Sequence, residues 1–135
     1  MDERSASAAT ISILLVDDHA LLRDLMAQIL SSQGFQVTTA ESGEAAIRLL
    51  ESGLNPQVLL SDIRMPGLYN GVELARWARP RYPSLVILLQ TAFTDIDTGD
   101  FRVLYKPFDP QMFLSAIQEL LGSAGTGAPG NDEEG

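Results

Sequence analysis

The chain has 135 residues, 45% of them apolar, which is enough for one well-formed core and too little for two. Its formal net charge of -9 argues against loose attraction to nucleic acid or anionic membranes, and the lack of cysteine excludes disulfides and thiolate metal ligands. No apolar run approaches the ~20 residues of a membrane span and Met1-Asp2-Glu3 opens no signal peptide, so a soluble cytoplasmic domain is expected.

Residues 1–10 are small and polar, and residues 122–135 are Gly-rich with an acidic end, so both read as disordered tails around a domain at 11–121. The second tail also has the composition of a linker cut from a longer protein. Within the domain, ISILLVDD is a first strand ending at Asp17 and Asp18. A helix is expected from about Ala20 to Ser32, with Leu22, Leu25, Met26 and Ile29 on its buried stripe and Gly34 as its stop. QVTTA (36–40) is a short edge strand. Ser42 caps a second helix that Gly53 and Pro56 end. QVLLSD finishes a third strand at Asp62, and Asn70 with Glu73 has capping-box spacing before VELARWAR, which Pro80 closes. LVILLQ runs to Thr91, a short strand covers Arg102 to Tyr105, and Asp109-Pro110 opens a last helix through Leu121.

The strands are continuous apolar runs, as a parallel sheet covered on both faces requires. Their alternation with helices predicts a doubly wound α/β sandwich. In such sheets ligands bind beyond the carboxyl ends of the strands where strand order reverses, between the first and third strands for the order 2-1-3-4-5. Asp17, Asp18 and Asp62 stand at those two ends. Three converging carboxylates repel one another, and the simplest remedy is a hard divalent cation such as Mg2+, which takes one or two carboxylates and a phosphate oxygen. Lys106, the only lysine beside eight arginines, and the Thr91 hydroxyl suit the remaining oxygens of a phosphoryl group.

LLVDD, LLSDIRMPG, LQTA and LYKPF, each at a strand end and in this order, resemble the receiver domain of two-component response regulators, the CheY-like superfamily with its flavodoxin-like sandwich. The resemblance covers about Ile11 to Leu121. It implies that Asp62 accepts a phosphoryl group from a phosphohistidine of a histidine kinase or histidine phosphotransfer protein. It implies Mg2+ on Asp18, Asp62 and the Arg64 backbone carbonyl, with Asp17 acting through water. It gives Thr91 and Lys106 the phosphoryl oxygens and makes the Lys106-Pro107 bond cis. The chain is then not an enzyme in its own right but assists its own phosphorylation and dephosphorylation, as a monomer or weak dimer.

The chain departs from the pattern in three places. About ten residues connect the fourth and fifth strands, at the lower limit for a crossover, so the fourth helix of the fold is expected to be truncated or absent and the segment mostly extended, with at most one helical turn. The aromatic-switch position holds Val103; Tyr105 and Phe101 share its strand face by period two but neither sits in register. The loop PGLYNG after the third strand is one residue longer than the family pattern and brings Tyr69 near the site, so Tyr69 and Tyr105 are candidate partner contacts. Arg64 and Phe93 hold positions that tune dephosphorylation in the family, or are solvated surface. His19 is expected to begin a helix and Trp77 to pack. The alternative function is a phosphorylation-independent module that binds a histidine kinase.

Overall fold

The computed structural model describes residues 11–93, 96–106 and 109–126. Five strands, β1 (Ser12–Val16), β2 (Gln36–Ala40), β3 (Val58–Asp62), β4 (Val86–Thr91) and β5 (Arg102–Tyr105), form one sheet in the order β2-β1-β3-β4-β5. Every pairing is parallel. Successive side chains of a strand point to opposite faces, which divides the apolar runs between two cores. Leu14, Leu59 and Leu89 lie under helices α2 (Gly43–Glu51) and α3 (Gly71–Arg81), beside Leu50 and Ala75. Ile13, Leu60 and Leu88 lie under α1 (Ala20–Ser32) and α4 (Pro110–Thr126), beside Leu30 and Phe113.

Helix starts follow the expected chemistry. His19 is the N-cap of α1, its Nδ1 accepting from the Leu22 N–H at 3.4 Å. Ser42 Oγ accepts from the Ala45 N–H at 3.0 Å, Asn70 and Glu73 form the reciprocal capping box, and the Asp109 carboxylate accepts from the Met112 N–H at 2.9 Å. Two helices end later than expected. The third runs one residue past Pro80 to Arg81, and the last continues beyond Leu121 to Thr126. Trp77 packs against the core as expected.

The buried stripe of α1 differs from the sequence reading. Leu22 and Leu25 are 45% and 51% exposed, while Met26, Ala27 and Leu30 meet the core. The inward face is turned by one residue because Arg23 occupies the first inward position, where its Nη1 donates to the Asp17 carbonyl at 2.9 Å. Satisfying that carbonyl at the strand end outweighs burying another leucine.

Among the described residues no helix lies between β4 and β5. No helical turn stands among them either, within the limit of at most one turn expected for the segment. The Asp97 carboxylate accepts from the Gly99 N–H at 3.0 Å, Gly99 takes a φ of 60°, and the Phe101 N–H closes a turn on the Thr98 carbonyl at 3.2 Å. Ile96 and Phe101 pack against the α2–α3 core and stand where a helix would present its apolar face. Residues 1–10, 127–135 and the Lys106-Pro107 bond lie outside the described residues. No described helix is long and apolar enough to cross a membrane.

Candidate functional site

Strand register brings the sequence-predicted residues together. Asp17 follows β1, and its N–H continues the pairing with β2 by donating to the Ala40 carbonyl at 3.1 Å. Its buried carboxylate accepts from the His19 N–H at 2.9 Å, which aims the side chain inward at the start of α1. Asp18 is exposed beside it. Asp62 ends β3, and one carboxylate oxygen from each of Asp17, Asp18 and Asp62 lies within 4.8 Å of the others.

Lys106 reaches this cluster from β5, its Nζ donating to Asp62 Oδ1 at 3.0 Å. The backbone holds the lysine in place, since the Lys106 N–H donates to the Thr91 carbonyl at 2.7 Å. Thr91 is buried and its Oγ1 accepts from the Phe93 N–H at 3.1 Å. Burial pushes the Asp62 carboxyl above the usual carboxylate range; Lys106 opposes this, and Asp17 and Asp18 add to it. The donor set fits a hard divalent cation, because it consists of oxygens from three crowded acids whose repulsion a cation relieves.

The loop after Asp62 is anchored by a residue that the sequence reading missed. Glu44, in the first turn of α2, accepts from the Leu68 N–H at 3.0 Å, and that hydrogen bond pulls its carboxyl below the usual range. Gly67, with φ 102°, lies so close that a Cβ there would be 2.9 Å from Glu44 Oε2. A helix-start glutamate carries no sequence signal for a contact to residue 68. Tyr69 is half-buried, with its Cβ and carbonyl against the backbone of Gly43, whereas Leu68 is the loop's exposed large apolar side chain at 78%. Arg64 stacks its guanidinium over the Phe93 ring, 4.1 Å from the centroid, so these two residues are one unit across the site mouth.

Val103 pairs with Leu89 and packs against the α2–α3 core. Neither Tyr105 nor Phe101 occupies the position that Val103 holds. Tyr105 is the direct cross-strand partner of Thr91, because β4 and β5 pair Thr91 with the residue just before Lys106. Residues paired across parallel strands share a face, and Tyr105 is 47% exposed there.

Comparison with known proteins agrees with this geometry. The family described as "Response regulator receiver domain" matches residues 13–118. The chain is 38% identical over 116 residues to the Escherichia coli DNA-binding transcriptional regulator NtrC, covering 81% of this chain and 24% of that protein, so it spans about a quarter of that relative's length. The structure resembles the Vibrio cholerae chemotaxis protein CheY4, with a TM-score of 0.74 at 29% identity over 84% of this chain and all of the other. It also resembles the Thermotoga maritima response regulator TrrA, solved in complex with Mg2+ and BeF, with a TM-score of 0.73 at 32% identity over 82% and 99% of the two chains.

Proposed function

Because the chain belongs to the response regulator receiver family, whose members accept phosphoryl groups in two-component signalling, we propose that Asp62 is its phosphoacceptor and that a phosphohistidine of a histidine kinase or histidine phosphotransfer protein is the donor. The carrying observation is the Lys106 ammonium 3.0 Å from Asp62 Oδ1 inside a cluster of three carboxylates.

An Asp62 oxygen attacks phosphorus in line, the new P–O bond forms as the P–N bond breaks, and the bonding pair leaves on the imidazole nitrogen. Lys106 and Thr91 meet the charge on the phosphoryl oxygens with an ammonium and a hydroxyl already placed by the sheet. Bound Mg2+ would supply further positive charge against those oxygens and against Asp62, held by Asp18, Asp62 and the Arg64 carbonyl, with Asp17 through water. Catalysis is thus positioning and electrostatics. The chain assists its own phosphorylation and dephosphorylation without turning over a separate substrate. Leu21, Leu22 and Leu25, 72%, 45% and 51% exposed on α1 beside Asp18, offer the donor protein an apolar landing beside the site. With its acidic charge the chain is read as a cytoplasmic, monomeric or weakly dimeric partner of proteins and not of nucleic acid or membrane.

Intact mass after incubation with a small phosphodonor tests the assignment. One phosphoryl adduct is expected with Mg2+ and none after chelation. An adduct that forms equally without divalent metal would remove the metal from the reading. Absence of any adduct, with a small donor and with a kinase donor alike, would overturn it.

A second reading is favoured by Val103 at the switch position and by the turn-built crossover. In it the chain binds a histidine kinase regardless of phosphate. Equal affinity for that kinase with and without beryllofluoride would establish this reading and remove the switch.

A further inference from the structure

Gln90 is 1% exposed, and its Oε1 has no hydrogen-bond partner. A buried amide oxygen left unpaired costs free energy, so its retention beside the site calls for a reason. Register places it there: β3 pairs Asp62 with Gln90, and β4 pairs Gln90 with Leu104. Val86 and Leu88 belong to the α1–α4 core, as do Leu60 and Leu104. By period two, Gln90, Asp62 and Lys106 therefore stand on that same face.

The lysine's path completes the geometry. Lys106 follows β5 and its ammonium lies on Asp62 of β3, with β4 between them. The lysine stem, the hydrogen bond and the Asp62 side chain together bridge two strand spacings, about 10 Å, and the side chain of β4 on that face in the Asp62 row is Gln90. An ammonium has three donors, and among the described residues one is in use, on Asp62 Oδ1.

We propose that Gln90 is a positioning residue for phosphoryl transfer: its amide oxygen takes a second N–H of the Lys106 ammonium when the Lys106–Asp62 pair opens to admit a phosphoryl group. The long side chain turns about its own torsions to follow the ammonium. Its hydrogen bond is absent before transfer and present afterwards, so it favours the phosphorylated arrangement over the resting one. This inference rests on the assignment of Asp62 and Lys106 made above.

The test is Gln90→Met, which keeps length and flexibility and removes the amide. Without ligand, the variant is expected to melt about 4 °C higher, because a buried unpaired oxygen is gone. Its affinity for beryllofluoride with Mg2+, measured by calorimetry, is expected to fall about tenfold. In a Lys106→Met background the same change should leave that affinity unaltered, since Gln90 acts through the ammonium. Gln90→Leu, read in the same way, substitutes if the Met variant does not fold. Unchanged affinity in the single variant, or an equal loss in both backgrounds, would overturn the role of Gln90 and leave the phosphoacceptor standing. Failure of the wild type to bind beryllofluoride at all would overturn the phosphoacceptor reading, and this one with it.

Discussion

Asp62→Asn is expected to take up no phosphoryl group under any donor condition and to melt a few degrees above the wild type when no divalent metal is present. The loss of uptake follows from chemistry, since an amide oxygen is a far weaker nucleophile than a carboxylate. The gain in stability follows from electrostatics. Burial raises the Asp62 carboxyl above the usual range, and Asp17 and Asp18 raise it further against the pull of Lys106. A carboxyl whose folded value exceeds its unfolded value binds more protons in the folded chain. Stability therefore falls as pH rises from the ordinary carboxylate range through the folded value, and the deficit persists at neutral pH. Asparagine removes that deficit and flattens the pH dependence in the same window. Thermal melts from mildly acidic to neutral pH in chelator, beside intact-mass assays, check both halves. An Asp62→Asn protein less stable than wild type at neutral pH would mean that the Lys106 contact outweighs burial and the neighbouring acids.

The same charge balance explains how much of the site was legible before the fold. Aspartates at the ends of the first and third apolar runs sit together in any doubly wound sheet of this order, so local sequence and topology identify the acidic cluster. Lys106 and Thr91 were equally plain because each closes a strand. The edge position of β2 followed from its short run and the missing helix from the short connection between the fourth and fifth strands, whereas the strand order was taken from the fold class and the turns that build the crossover were not legible.

Less legible were contacts set by one-residue differences in orientation. The inward face of α1 depends on whether Arg23 or Leu22 points at the sheet, and a carbonyl at the end of β1 decides it. Tyr105 reaches Thr91 through the β4–β5 register, which a motif spacing does not contain. Gln90 stands inside LQTA beside Thr91, and its place in the Asp62 row needs the pairing of β3 with β4. Glu44 acts across 24 residues on Leu68, and a first-turn glutamate has an ordinary capping explanation of its own.

Gly71→Ala is expected to be the most damaging alanine substitution among the described glycines. Gly71 begins α3 directly behind Asp62, and its N–H donates to the Ile63 carbonyl at 2.8 Å. A Cβ there would lie 2.2 Å from the Asp62 carbonyl oxygen and 2.8 Å from the Ile63 Cα, both backbone atoms. Neither can turn aside as a flexible side chain can. The helix or the end of β3 must move, and the strand end is where Asp62 is mounted. Overpacking of this kind costs about 3 kcal/mol, or roughly 10 °C in melting temperature for a domain of this size. With Asp62 as the proposed nucleophile, a shift of about 1 Å is expected to lower phosphoryl uptake by about 100-fold in the fraction that remains folded. Gly34→Ala separates the two effects. Gly34 has φ 98° with nothing within 4 Å of its Cβ position, so the substitution adds backbone strain of about 1 kcal/mol far from the carboxylates. That variant should lose stability and keep its uptake rate. Equal uptake by the Gly71→Ala and wild-type proteins at a temperature where both are folded would show that α3 yields to the methyl and Asp62 does not.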